Sequence, residues 1–147
     1  MIYAAQKKIL DELSDLQGQY GVKTIGLYTG LELENIQNNV QSLTAIYLMQ
    51  RSMTYEPFRT VKYISIPVQI RYWVLTFTYL GNQKTFNLNN NRVKDLDSLL
   101  IALRNKLIKF NTGYGYLRPQ SEEILFVSDG FVGYVQEYEM EYTYKES

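Results

Sequence analysis

Between positions 93 and 110 the apolar residues return every three or four places: Val93, Leu96, Leu99, Leu100, Leu103, Leu107 and Phe110. At about 100° per residue these fall in one stripe, so the pattern predicts a helix over 93–110 with one buried face. Asn90 and Asn91 stand where side chains cap free N–H groups. Asp95 and Asp97 come early and Arg104, Lys106 and Lys109 late, the order the helix dipole favours, and the run from Asn111 to Gly113 ends the pattern. A stripe of this width needs a broad apolar partner. The flanking tyrosine- and valine-rich segments supply one as strands, so the expectation is a long core helix lying on a sheet.

The N-terminal segment carries a second helical stripe, Ile2, Ala5, Ile9, Leu13, Leu16 and Tyr20, stopped by Gly18 and Gly21. A short strand over 22–28 follows. Thr29 then precedes Glu32 by three residues, a capping box, and Leu33, Ile36, Val40 and Leu43 outline a shorter helix. The segment 43–51 is β-rich and apolar on both faces, as in a strand covered on each side. From 70 to 80 the alternation is clean: Trp73, Leu75, Phe77 and Tyr79 point one way, Tyr72, Val74, Thr76 and Thr78 the other. Gly81-Asn82 closes it in a turn.

Between these strands, residues 52–67 have no helical period but keep Tyr55, Phe58, Tyr63, Ile64 and Ile66. Pro57 marks a turn, and Pro67 requires an edge position or a bulge. A structureless loop of this length is unusual in a compact domain, so the reading is a β-hairpin arm. After the Gly- and Tyr-rich residues 113–119 come two more strands, 122–127 and 131–144, joined through Ser128-Asp129-Gly130, a hairpin signal. In the last strand Val132, Tyr134, Tyr138, Met140, Tyr142 and Tyr144 share a face with Gln136, and Glu137, Glu139 and Glu141 share the other. The expected fold is α+β: a mainly antiparallel sheet packed by the core helix and an N-terminal helix.

A chain of 147 residues suits a single domain, and 1–147 is read as one. There is no cysteine and no histidine, which removes thiolate metal sites, disulfides, the commonest general base and the commonest metal ligand. Lys and Arg together number 15, as do Asp and Glu, so no global field draws in nucleic acid. Arg51, Arg59, Lys62 and Arg71 cluster around the arm and leave a local basic surface open. No apolar run is long enough for a membrane helix. The first residues lack the basic-then-apolar order of a signal peptide, and a cytosolic protein is expected. No P-loop, nucleophile elbow or zinc spacing occurs, and Arg118 stands where a dinucleotide fingerprint begun by Gly113 and Gly115 needs its third glycine. The carboxylates at Glu122-Glu123 and Asp95/Asp97 do not converge on one point. No catalytic, cofactor-binding or metal-ligating residue is identified, and the expectation is a protein that is not an enzyme.

Tyrosine is the compositional excess, 14 residues. Its ring buries well while its hydroxyl stays wet, which suits half-buried sheets and protein interfaces alike. Sheet packing accounts for most of them, but Tyr55 and Tyr63, with Phe58, are harder to bury within one subunit. Ile101 and Ile108 lie seven residues apart on the flank of the main helical stripe. A wider core contact and a subunit contact both explain them.

In order of elements, the chain resembles tail-terminator and tail-completion proteins of contractile-tailed phages, and the Mu-like prophage tail protein family in particular. The likeness is carried by Leu43-Thr-Ala-Ile-Tyr-Leu48, by Val74-Leu-Thr-Phe-Thr78, by residues 93–107, and by Val132-Gly-Tyr-Val-Gln-Glu-Tyr-Glu-Met140. It spans nearly the whole chain as a pattern of elements. It implies a structural virion protein that forms a ring, expected to be hexameric, which caps the tail tube and joins it to the head or neck. The tube protein is the implied partner, with the sheath and head–tail connector beyond it. DNA would pass through the channel without specific binding, and no cofactor or membrane is involved. Assembly would take place in the host cytoplasm. On this reading Glu137, Glu139 and Glu141, hydrated and mutually repelling, would form an acidic ladder facing the channel; a plain solvated sheet surface is the other explanation of the same residues. The alternative for the whole chain is a host cytosolic α+β module that binds a small ligand or a protein partner.

Overall fold

The structure, a computed structural model, describes residues 3–28, 44–55, 65–81, 91–128 and 130–145. Among these, helix α1 (Tyr3–Leu13) runs into one 3-10 turn (Ser14–Leu16), and strand β1 (Val22–Leu27) follows. Strands β2 (Thr44–Tyr55) and β3 (Ser65–Tyr79) precede helix α2 (Asn91–Leu107). Strands β4 (Arg118–Ser128) and β5 (Phe131–Lys145) complete the chain. The five strands form one sheet in the order β1-β2-β3-β5-β4. β2–β3, β3–β5 and β5–β4 pair antiparallel, whereas β1 runs parallel to β2. The fold is α+β as expected, but the sheet is mixed. Alternation within a six-residue strand says which face it buries and nothing about the direction of its neighbour, so the parallel pair was not legible.

The two-residue period of β3 decides where everything packs. Val68, Ile70, Tyr72 and Val74 turn to one face, where Ile46, Leu48, Tyr138 and Met140 join them. The helices close this face with Ala5, Ile9, Leu13 and Leu16 from the N-terminal stripe and Leu99, Leu100, Leu103 and Leu107 from α2. Leu75 and Phe77 turn to the other face and cluster with Ala45, Tyr47, Phe131 and Val135. Thr44 to Leu48 are therefore buried five in a row, as a strand covered on both sides must be.

Several boundaries differ from expectation. α2 ends at Leu107, three residues early, because Lys109 takes a left-handed conformation (φ 63°) and turns the chain. The Ile108 amide still donates to the Arg104 carbonyl at 2.9 Å, and Phe110 still packs on the core. Asn91 lies inside the helix instead of before it. At the N-terminus the regular helix stops at Leu13, so Tyr20 leaves the stripe; it has φ 52° and is 39% exposed. The base of the expected arm is ordinary sheet: residues 52–55 extend β2 and residues 65–67 extend β3. Pro67 stands just beyond the last β2–β3 pair, Tyr55 with Val68, where its missing N–H breaks no ladder bond with β2. Phe58 and Tyr63 lie outside the described residues, as do the Thr29–Glu32 capping box and the helix expected after it. The hairpin prediction at 128–130 holds in its pairing. Ser128 pairs with Phe131, and Gly130 supplies the positive φ (84°) such a turn needs.

Candidate functional site

The three glutamates of the expected acidic ladder do fall on one face of β5, opposite the helices, but two of them are paired with side chains of neighbouring strands. The Glu137 carboxylate accepts a bond from Trp73 Nε1 at 3.2 Å and one from Ser121 Oγ at 3.4 Å, and Arg71 Nη1 lies 3.5 Å away. Glu139 is only 7% exposed. It sits between Arg71 Nη2 at 3.3 Å and Arg118 Nη2 at 2.9 Å. Arg51 then lies over the Trp73 ring, 4.8 Å from its centroid, a favourable cation–π position. One network thus crosses β2, β3, β5 and β4. Glu141 is exposed, and no ion pair holds it among the described residues. The expectation that all three carboxylates stand bare and hydrated is corrected for two of them: register places Arg71 opposite Glu139, and Arg118 pairs with Glu139 from the other side, so Glu137 and Glu139 are paired within the chain while Glu141 is not. Arg71, Arg118 and Arg51 thus offset most of the charge that Glu137, Glu139 and Glu141 bring to this surface.

The helix side carries a separate ion pair. Arg104 of α2 reaches Glu122 of β4 through two parallel bonds, both 2.6 Å, and Tyr134 donates its hydroxyl to the same carboxylate at 3.0 Å. The Arg104 guanidinium holds the Glu122 carboxyl below the usual carboxylate range against the opposing effect of burial, while burial and the Glu122 contact push the Tyr134 hydroxyl up. Two-point binding of this kind fixes orientation as well as distance. It locks the flank of α2 to the sheet edge.

That flank is where the apolar surface emerges. Asp97 and Leu100 line a groove of about 250 Å³ with Val93, Ile124, Val127 and Tyr134. Ile101, one turn from both Asp97 and Arg104, follows the same flank at 45% exposure, with Ile124 at 58% and Val127 at 53% on the neighbouring edge strand. Ile108, just past the helix end, is also exposed. So Ile101 and Ile108 are not part of a wider core contact. The sequence reading missed Ile124 and Val127. The signal was present in the run Ile124-Leu-Phe-Val127, but an apolar run reads as buried until the sheet order shows that β4 is an edge.

At the opposite end of the sheet Tyr55 is exposed on the last β2 position. In the row it shares with Val68, Tyr142 meets the Tyr114 ring edge-on, with centroids 5.7 Å apart. Tyr114 and Tyr116 are exposed on the turn after α2. Neither surface brings catalytic groups together, and no three of His, Cys, Asp and Glu gather to hold a metal ion among the described residues. No described helix is long and apolar enough to cross a membrane. No family model matches the chain, and no curated protein matches it.

Proposed function

We propose that the chain is a structural subunit of a phage tail or a related contractile injection system. Copies assemble into a ring, six in the simplest arrangement, that caps the tail tube and joins it to the head or neck. The observation that supports the reading is the apolar groove edged by exposed Ile124 and Val127, with exposed Ile101 one helical turn from Asp97 of its lining. Contiguous apolar surface on a soluble domain marks contact with another protein. The resemblance in element order supplies the identity of the assembly. The small-ligand alternative gains less support, since the groove offers few convergent polar groups, Asp97 and Tyr134 among apolar side chains. On this reading DNA passage through the ring rests on a surface whose carboxylates are largely offset by arginines instead of on a bare acidic wall.

Light scattering coupled to size exclusion, followed by negative-stain imaging, tests the reading. The expected result is a closed ring, either alone or on tail tubes assembled in its presence. A strict monomer that leaves tube ends uncapped overturns it. Ile101→Asp with Ile124→Asp should abolish ring formation while shifting the monomer by less than about 0.5 kcal/mol, as for exposed positions generally.

A further inference from the structure

The turn after α2 is held more firmly than a surface connection needs. The Lys109 amide donates to the Leu117 carbonyl at 3.0 Å, and the Leu117 amide to the Phe110 carbonyl at 2.9 Å. Within this ladder the Gly115 carbonyl accepts from the Thr112 amide at 2.9 Å and from its hydroxyl at 3.0 Å, while Asn111 Oδ1 accepts from the Gly113 amide at 2.8 Å. Thr112 and Leu117 are buried, and Gly115 lies so close to the Glu141 carbonyl that no Cβ would fit. What this scaffold presents outward is aromatic: Tyr116 at 61% exposure, with Tyr114 beside it against Tyr142. Neither a ring contact nor a hydroxyl bond holds Tyr116 among the described residues. A rigid aromatic knob gains the single copy nothing, but it lowers the ordering cost of an interface.

The groove of about 250 Å³ beside α2 is its complement. A cavity of roughly 150 Å³ already holds a benzene ring, so a phenol has room. Leu80, Val93, Leu100, Val127 and Val132 line the groove, and the Asp97 carboxylate is the charged group of the lining. Tyr134 also lines it but has given its hydroxyl hydrogen to Glu122, which leaves Asp97 as the acceptor. An aliphatic side chain would cover that carboxylate without offering a donor, and an acidic one would be repelled. A tyrosine packs its ring on the apolar walls and brings one O–H to the carboxylate, while fixing only two side-chain angles. The two surfaces cannot meet within one copy. Val132 of the groove and Tyr142 beneath the turn are ten residues apart on β5, roughly 33 Å.

We propose that Tyr116 of one copy docks in the α2 groove of the next copy, its hydroxyl donating to the Asp97 carboxylate there. The contact joins two different surfaces, so it repeats head to tail and closes a ring, whereas a flank packed against its own counterpart would stop at a dimer. The inference rests on the ring reading and adds which surfaces meet in it.

The test traps the contact in the full chain. Tyr116 is replaced by the photoreactive p-azidophenylalanine, which keeps the ring. Irradiation should yield a ladder of cross-linked copies, with the new bonds mapped by mass spectrometry to residues 93–100 or 124–134. A mixing arm fixes the direction. The azide chain carrying Ile124→Asp keeps its knob and loses its groove, and Tyr116→Asp keeps its groove and loses its knob. Irradiated together they should give cross-linked dimers and nothing larger, while Tyr116→Asp alone should not assemble; circular dichroism checks that each stays folded. Tyr116→Phe, which keeps the ring and loses the donor, should weaken assembly about tenfold. Light scattering of the wild-type chain, alone and with tail tubes, separates the two claims. Rings whose cross-links map elsewhere or do not form, or which Tyr116→Asp or Tyr116→Phe builds as well as wild type, overturn the inference and leave the ring reading standing. A wild-type chain that stays monomeric in both settings overturns the ring reading, and the inference with it.

Discussion

The two faces of the sheet hold their carboxylates in different ways. On the helix-covered face Glu122 has one charged partner, Arg104, aligned so that both ends of the fork bond, with the Tyr134 hydroxyl donating beside it. On the open face Glu137 and Glu139 share Arg71, and each has further partners in Trp73, Ser121 or Arg118. The first arrangement concentrates the charge interaction in a single ion pair that ties a helix to an edge strand. The second spreads it over four strands, so that no one partner is indispensable. The carboxylates of the open face are more buried than Glu122, but their arginines are wetter, with the Arg71 and Arg118 side chains 40% and 53% exposed, and solvent screening reduces what each contact contributes. The helix face should therefore respond sharply to single substitutions and the open face weakly.

The largest expected effect comes from the apolar part of the helix face. Leu103 is fully buried between α2 and the sheet, and Leu103→Ala should cost about 3 kcal/mol, measured by urea denaturation. A loss below about 1 kcal/mol would mean that α2 is not docked as described.

Next is alkaline pH. Tyr72 and Tyr138 are fully buried on this face with hydroxyls that find no partner among the described residues. Burial pushes Tyr72 up to about 12 and raises Tyr138 as well. In the unfolded chain both ionise near 10, so the unfolded state loses protons first and stability declines from about pH 10 upward. Tyr72 alone accounts for about 2–3 kcal/mol once the pH passes its folded value. Thermal melts at stepped pH with Tyr72→Phe should show a shallower alkaline decline for the variant. Parallel declines would remove the contrast between a sealed face and a wet one.

Third, Glu122→Gln should destabilise by about 1–2 kcal/mol, reduced from the value for a fully buried pair because both side chains keep partial exposure. The lowered pKa of Glu122 makes its contribution present above the unfolded value near 4.3 and lost as the pH falls through the folded one. The difference between Glu122→Gln and wild type should therefore shrink in acid. A double-mutant cycle with Arg104→Met isolates the pair, and a coupling near zero would reduce it to surface decoration.

The smallest effect is expected at Arg71→Met, less than about 0.5–1 kcal/mol, since Arg118 still holds Glu139 while Trp73 and Ser121 still hold Glu137. A loss as large as that of Glu122→Gln would show that the open-face network is no more tolerant than the single pair.

Local periodicity carried the helical stripe from Leu99 to Leu107, the opposed faces of Tyr72 and Trp73, and the turn at Gly130, because each depends on residues within one or two turns of chain. It also exposed Ile101 and Ile108 as misfits of their own stripe. The expected hydration of Glu137 and Glu139 failed for a different reason. Glu137, Glu139 and Glu141 were read correctly as sharing a face, but whether that face is bare depends on which strand lies alongside and in what register. Arg71 and Glu139 are far apart in sequence and meet only because β3 and β5 pair as they do. Sheet order likewise made β4 an edge, turned Ile124 and Val127 outward and opened the bulge at Gln120. Strand pairing is a long-range choice: a one-residue slip would exchange the faces without altering any local pattern. The sequence by itself determined which residues can be buried together within each element; tertiary structure alone decided which charges meet and which apolar side chains remain uncovered.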